Sequence, residues 1–157
     1  MQNISPFLWF DTQAEEAAAF YVSVFPNSRM LDVTRYGPGS RGPEGQAMTV
    51  TFEVMGLRMT ALNGGPYFRF TEAVSFTVPC ETQAEVDAYW EKLTADGGEP
   101  GQCGWLKDRF GLSWQIVPNV LGELIGDPDP EKSRRATEAM LKMRKLDIAE
   151  LRRAHAG

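Results

Sequence analysis

Two short apolar segments of this 157-residue chain carry small polar side chains at every second position. Ser75 and Thr77 alternate with apolar residues in one segment, and Ser113 and Gln115 do so in the other. Because successive side chains of a strand point to opposite faces, each pair shares one face of its strand. A few hydroxyl and amide groups on an otherwise apolar surface are typical of a pocket that binds a small molecule. We therefore expect these four side chains to bind a ligand.

The first half of the chain offers a more apolar version of the same arrangement. Leu8 shares its predicted face with Pro6 and Phe10, and Arg58 shares one with Thr60. We expect Leu8 and Thr60 to line the ligand site. Arg58 could hold a carboxylate or phosphate through its planar guanidinium group, and a surface salt bridge is the alternative interpretation.

Cys103 is the side chain with the most reactive group near these positions. A cysteine nucleophile must be a thiolate, and Lys107 or Arg109 could lower the pKa of this thiol. The alternative is an inert free thiol at the start of a strand. If the protein is an enzyme, the candidates for a catalytic role are Cys103, Gln115 and Arg58.

Asp108 stands between two basic residues in the same region. Such a charged cluster could clamp a substrate, but a solvated turn is the interpretation that we favour.

The chain contains a single histidine, His155, which lies two residues from its end. A histidine general base, a Ser-His-Asp triad and a histidine-rich metal site are therefore excluded from the folded body. We expect His155 to lie on a frayed tail.

Bulk composition excludes some partners. The formal net charge of −5 argues against a nucleic-acid surface, which needs a basic face. No segment approaches the about 20 apolar residues that cross a bilayer, and no signal peptide is predicted at the start. Two cysteines are too few for a disulfide framework. A cytoplasmic protein that contacts neither nucleic acid nor membrane is expected.

An internal repeat predicts the architecture. The Thr-Gln-Ala-Glu sequence at 12–15 recurs 70 residues later at 82–85, and the Gly-Leu segment at 56–62 is similar to the one at 111–117. Both signatures come in the same order, which predicts two copies of one βαβββ module and an α+β fold. Helix caps are expected from Asp11 or Thr12 in the first copy and from Thr82 in the second. We expect strands at 4–10, 30–36, 48–54, 57–62, 73–78, 104–108 and 112–117, and helices at 14–25, 82–95 and 131–145 with a short final helix after Asp147.

Three segments carry a resemblance to a known family: 61–66 (Ala-Leu-Asn-Gly-Gly-Pro), 104–118 (Gly-Trp-Leu-Lys-Asp-Arg-Phe-Gly-Leu-Ser-Trp-Gln-Ile-Val-Pro) and 127–132 (Asp-Pro-Asp-Pro-Glu-Lys). They resemble the PhnB-like branch of the glyoxalase/bleomycin-resistance superfamily, also called vicinal oxygen chelate, some of whose members are labelled 3-demethylubiquinone-9 3-methyltransferase. The resemblance implies two modules with curled mixed sheets around a cleft, and a homodimer. It leaves open whether the cleft forms within one chain or across a dimer.

The internal repeat and the family resemblance together predict how the chain is divided into domains and modules. We expect one glyoxalase-like domain at 1–126, with modules at about 1–70 and 71–126, and a C-terminal helical extension at 127–157.

Metal-dependent relatives place metal ligands on the first and last strands of each module. Carried over by register, these positions fall on Ile4, Thr60, Ala73 and Gln115. Of these residues, Gln115 is the only plausible ligand, and one amide oxygen does not hold a transition metal against water. We expect no metal and no cofactor.

Three functional hypotheses follow. We favour a metal-free protein that binds a small, partly apolar molecule. The alternatives are a metal-independent or weakly metal-dependent enzyme of the superfamily, and a methyltransferase. The glycine-rich stretch at 37–45 is followed by a predicted strand rather than a helix, so the sulfonium-binding unit of a doubly wound sheet is not predicted.

Overall fold

The computed structural model describes residues 3–157 and divides them into two compact units, with the boundary between Phe70 and Thr71. Residues 1 and 2, where the first module was expected to begin, lie outside the described part. Each unit contains one four-stranded mixed sheet with helices. This confirms the predicted α+β fold of two similar βαβββ modules followed by C-terminal helices.

The first unit follows the predicted order of elements. Its sheet has the order β1-β4-β3-β2, in which β1 runs parallel to β4 and the other pairs are antiparallel. Its elements are β1 (Phe7–Phe10), α1 (Ala14–Val24), β2 (Arg29–Arg35), β3 (Ala47–Val54) and β4 (Leu57–Asn63).

The second unit repeats this arrangement with the sheet order β5-β8-β7-β6 and adds three helices. Two short elements were not expected, the two-residue β6 and the six-residue α3, because neither is long enough to show a hydrophobic period. Its elements are β5 (Ser75–Cys80), α2 (Gln83–Thr94), a 3₁₀ turn (Ala95–Gly97), β6 (Glu99–Pro100), β7 (Trp105–Lys107), β8 (Ser113–Pro118), α3 (Val120–Ile125), α4 (Pro130–Leu141) and α5 (Ile148–Ala156).

The predicted face of β1 is wrong by one residue. Leu8 pairs with Ala61, and both are buried on the face that also carries Phe10, whereas Phe7 pairs with Thr60 on the open face. Pro6, Leu8 and Phe10 therefore do not share a face with Thr60. The face of a strand depends on its pairing partner, because a slip of one residue turns every side chain to the other face.

The two helices that cover the sheets are capped in different ways. Thr82 caps α2 as expected, because its hydroxyl accepts a hydrogen bond from the Glu85 amide at 3.2 Å. In α1, neither Asp11 nor Thr12 is the cap. The side-chain oxygen of Asn63, at the end of β4, accepts the hydrogen bond of the Ala14 amide at 2.8 Å.

The C-terminal helices form a small core of their own within the second unit. Five buried residues make this core, and Leu146 and Leu151 have no exposed surface. Burying one such leucine stabilises a fold by about 1.5–3 kcal/mol. The members are Leu121, Leu124, Ala136, Leu146 and Leu151.

The helix expected at 131–145 ends at Leu141, because the segment after it bonds to another part of the chain. The carbonyls of Met143 and Arg144 accept hydrogen bonds from the amides of Cys103 at 2.9 Å and Gly104 at 2.8 Å. These bonds attach the C-terminal extension to the turn that precedes β7.

The end of the chain is held rather than frayed, which corrects the expectation for His155. Its Nε2 lies 2.8 Å from Oδ2 of Asp127, and the carbonyls of Ala154 and His155 accept hydrogen bonds from Arg135. The Asp129 amide and then His155 hold the pKa of Asp127 below its usual range. The described part of the chain contains no helix with the length and apolar character needed to cross a membrane.

Candidate functional site

The open face of the second sheet brings the four alternating polar residues together. In the parallel pair β5–β8, Ser75 lies beside Ser113 and Thr77 beside Gln115. The antiparallel strand β7 places Lys107 opposite Ser113 on the other side of β8. Residues paired in this way point to the same face, while Phe76, Trp114 and the other alternate residues point to the helix side.

Gln115 is held in place by a neighbour on the adjacent strand. Its side-chain amide donates a hydrogen bond to the Ser75 hydroxyl at 2.9 Å. This bond fixes the orientation of the Gln115 side chain on a partly buried surface. Thr77 is more exposed and extends the polar row toward the end of β5.

Ser113 carries an unsatisfied hydroxyl group. Only 1% of the residue is exposed, and its Oγ has no hydrogen-bond partner among residues 3–157. A buried polar group without a partner costs about 1–3 kcal/mol, so native proteins rarely contain one without a reason.

A cavity of about 510 Å³ along β6 and β7 has Ser113 among its lining residues. Its wall includes Ser113, Trp105, Cys103, Lys107 and the carboxylate of Glu72. The volume is within the range of pockets that take small molecules.

The charged groups of this cavity are paired with each other. The Lys107 ammonium group forms an ion pair with Glu72. Hydrogen bonding to Lys107 lowers the pKa of Glu72, and the same bond raises the pKa of Lys107. Lys107 is therefore a fixed positive group that a ligand can reach by competing with Glu72.

The two cysteines differ in environment. Cys103 lies half-buried in the cavity wall, in a left-handed conformation with φ of 56°. His155, the single histidine of the chain, bonds to Asp127 rather than to this thiol. Cys80, the last residue of β5, is buried, and burial raises the pKa of its thiol to about 11, so it is a protonated core residue at neutral pH.

The candidates of the first unit divide between the two faces of its sheet. Arg58 and Thr60 lie on the open face, whereas Leu8 is buried on the helix side. Within residues 3–157, Arg58 forms no ion pair, although it stands across from Glu53, whose partner is Arg29 at 3.8 Å. The guanidinium of Arg58 is thus available on this face.

Asp108 is a structural residue, which corrects its interpretation as part of a solvated turn. It is 2% exposed, and its Oδ1 accepts hydrogen bonds from the amides of Phe110 at 2.9 Å and Leu112 at 3.1 Å. Its Oδ2 accepts one from the indole of Trp114 at 2.9 Å. The signal in the sequence was Asp at the first position and Gly111 at the fourth of a β-turn, a preferred combination. This turn sets β7 against β8.

The residues present do not fit the metal site found in metal-dependent members of the family that the sequence resembles. Nowhere in the described chain do three His, Cys, Asp or Glu side chains come together as they would have to around a metal ion. Of the positions carried over by register, only Gln115 and Thr60 have side-chain oxygens, and an amide or hydroxyl oxygen alone does not hold a transition metal against water.

Comparison with known proteins gives one family and several similar structures. The family described as 3-demethylubiquinone-9 3-methyltransferase matches residues 2–117. The chain is 34% identical to the PhnB protein of Bacillus cereus, with a TM-score of 0.69 over 74% of this chain and 99% of that one. No curated protein matches this chain.

Two more distant structures share the fold. Protein PA1353 from Pseudomonas aeruginosa is 20% identical, with a TM-score of 0.62 over 75% of this chain and 98% of that one. The fosfomycin resistance protein FosX from Listeria monocytogenes is 18% identical, with a TM-score of 0.55 over 78% of this chain and 94% of that one.

Proposed function

The chain belongs to the 3-demethylubiquinone-9 3-methyltransferase family, in the PhnB-like branch of the vicinal oxygen chelate superfamily, and from this premise we propose that it is a metal-independent small-molecule-binding protein. The proposed site is the open face of β5, β8 and β7 with its adjoining cavity. Ser75, Thr77, Ser113 and Gln115 supply its polar groups.

The observation that carries this proposal is the buried hydroxyl of Ser113 without a partner. The hydroxyl has almost no accessible surface, so a ligand must shift the wall beside it, and a bond to it would then recover the hydrogen bond that the protein alone leaves unmade. Lys107 supplies a second donor and Trp105 an apolar surface in the same wall. The ligand is therefore a small molecule with an apolar body and at least one oxygen acceptor.

Thr60 and Arg58 take the matching positions on the first sheet, since the Gly-Leu segments of the two modules align them with Gln115 and Ser113. We propose that they line a ligand surface in the same way. Leu8 is not retained, because its side chain packs on the helix side.

Binding is favoured over methyl transfer by the connections between strands and helices. A sulfonium cofactor is usually held by a glycine-rich loop that joins a strand to a helix. Within residues 3–157, the three direct strand-to-helix connections, after β1, β5 and β8, contain no glycine. The glycine-rich loop at 37–45 leads into β3 instead.

Replacing Ser113 with alanine tests the site, because stability and binding should change in opposite directions. The ligand-free variant should gain about 1 kcal/mol of unfolding free energy, since an unsatisfied buried hydroxyl is removed. A thermal-shift screen of carboxylates, ketones and aromatic acids, run with EDTA, supplies the ligands. Any ligand that stabilises the unmodified protein should bind Ser113→Ala several-fold more weakly.

The matched control is Ser23→Ala, which removes an exposed serine on α1. Its hydroxyl donates only to the Phe20 carbonyl of the same helix, so the change should alter stability by less than about 0.5 kcal/mol and leave binding unchanged. Ligands that bind Ser113→Ala as tightly as the unmodified protein, or that bind only when a divalent metal is restored, would contradict the proposal.

We also propose a homodimer, which is supported by apolar side chains left uncovered on the sheets. Phe7 on β1 is 61% exposed and Val74, just before β5, is 67% exposed. Each of these side chains would have less apolar surface exposed to water if a second subunit covered it. Sedimentation equilibrium should give twice the chain mass, and Phe7→Ser should weaken the association. A monomer at high protein concentration would contradict the proposal.

We also propose a division of the chain. Residues 1–126 form the glyoxalase-like domain and residues 127–157 an extension, in keeping with a family match that ends at residue 117.

The free thiols of Cys80 and Cys103 are consistent with the reducing cytoplasm, where we propose that the protein is located.

A further inference from the structure

A second cavity, of about 730 Å³, lies in the first unit at the carboxyl ends of β1 and β4, beneath the loop at 37–45. It is lined by residues of the first unit only, and therefore does not share a wall with the proposed site on the second sheet. We propose that this cavity binds a planar aromatic anion, a ring that carries a carboxylate or sulfonate group. The inference does not rest on the proposed function.

Two aromatic rings form rigid walls of this cavity. The indole of Trp9 donates a hydrogen bond to the Gly65 carbonyl at 2.9 Å, and the Tyr36 hydroxyl donates one to the Asn63 carbonyl at 2.6 Å. Their polar atoms are therefore satisfied within the protein. What remains for a ligand is apolar ring surface, which favours another flat ring.

Glycines allow both rings to lie directly on the backbone. A Cβ atom at Gly64 would be 2.3 Å from the indole ring of Trp9, and one at Gly42 would be 2.3 Å from the ring of Tyr36. Neither glycine has a positive φ, so space and not backbone conformation requires them. The rings are thus fixed before any ligand arrives, which reduces the entropic cost of binding.

Arg41 supplies the positive charge. It lies on the loop at the cavity wall and forms no ion pair or hydrogen bond through its side chain among the described residues. Arg35, on the neighbouring strand, shows the contrast, because both of its terminal nitrogens bond to Glu15 at 3.1 Å. An unpaired guanidinium group beside aromatic walls is suited to a carboxylate or sulfonate, which it binds through two parallel hydrogen bonds.

Asp11 is the acidic residue in the cavity wall. Because it repels an anion, the anionic group of the ligand is expected on the Arg41 side of the cavity.

The test is a titration of ¹⁵N-labelled protein with naphthalene-2-sulfonate, followed through amide chemical shifts. We expect the largest shifts at the amides of Gly39, Gly42, Gly64 and Gly65, which line the cavity. Arg41→Gln should weaken binding at least tenfold because it removes the charge. Gly42→Ala should weaken it similarly because the new methyl group displaces the ring of Tyr36.

Two controls separate the site from general effects. Gly37→Ala alters the same loop, but its Cβ would have no atom within 4 Å, so binding should be unchanged. Uncharged naphthalene should bind at least tenfold more weakly than the sulfonate. The proposal is overturned if no shifts occur, if they are confined to residues 71–157, or if Arg41→Gln and Gly42→Ala bind like the unmodified protein. Because both units are seen in one spectrum, ligand binding on the second sheet is scored independently.

Discussion

Replacing Asp108 with alanine is expected to lower the free energy of unfolding by about 3–5 kcal/mol. The carboxylate is buried and accepts three hydrogen bonds, from the amides of Phe110 and Leu112 and from the indole of Trp114. Its removal leaves all three donors without that acceptor, and hydrogen bonds to a charged group are each worth about 1.5–3 kcal/mol. Denaturation in urea, followed by tryptophan fluorescence, measures the loss.

Two companion variants make this result specific. Asp32→Ala removes an exposed carboxylate from β2 and should change stability by less than about 0.5 kcal/mol. Asp108→Asn keeps one oxygen for the two amides but turns a donor toward the indole, so its loss should be intermediate. Equal stabilities for Asp108→Ala and Asp32→Ala would show that this turn does not depend on the carboxylate.

The second large effect is expected at Asn63, whose replacement by leucine should cost about 2–4 kcal/mol. The side chain is buried and joins three elements, because its oxygen accepts from the Ala14 amide at 2.8 Å and its nitrogen donates to the Ala47 carbonyl at 2.9 Å. Leucine has a similar size but satisfies neither group. The first turn of α1 should then exchange its amide hydrogens faster, which hydrogen exchange measured by NMR will detect.

Asn63→Asp separates the two bonds. It keeps the acceptor for Ala14 but places a second oxygen against the Ala47 carbonyl, so it should destabilise the protein without increasing exchange in α1 as much as leucine does. Asn119→Ala, at an exposed position with no side-chain cap bond, is the control. A cost for Asn63→Leu no larger than that of the control would contradict the role of this residue.

Much of the fold could be predicted from the sequence, but contacts between distant residues could not. The internal repeat predicted the two modules. The alternation of Ser75 with Thr77 and of Ser113 with Gln115 predicted the shared sheet face, since it depends on local periodicity. Capping of α1 by a residue 49 positions away could not be predicted, because it depends on where β4 ends in space.

The candidate site on the second sheet could also be predicted only in part. Residue types and periodicity identified the polar face, but the register of β1 required a pairing partner, and without it Leu8 was placed on the wrong side. The missing partner of Ser113 is a property of packing, so no sequence pattern reveals it. Arg41 was seen only as part of a glycine-rich loop, and its role depends on the rings below it.

The two hydrogen bonds from Cys103 and Gly104 to Met143 and Arg144 link a wall of the cavity to a segment beyond the end of the family match. A relative that ends with the shared domain must support this turn in some other way. Ligand specificity among such proteins can therefore change when a C-terminal segment is added, without any substitution on the sheet itself. The ligand of one family member is therefore best inferred from another member whose C-terminal segment after the shared domain is also similar.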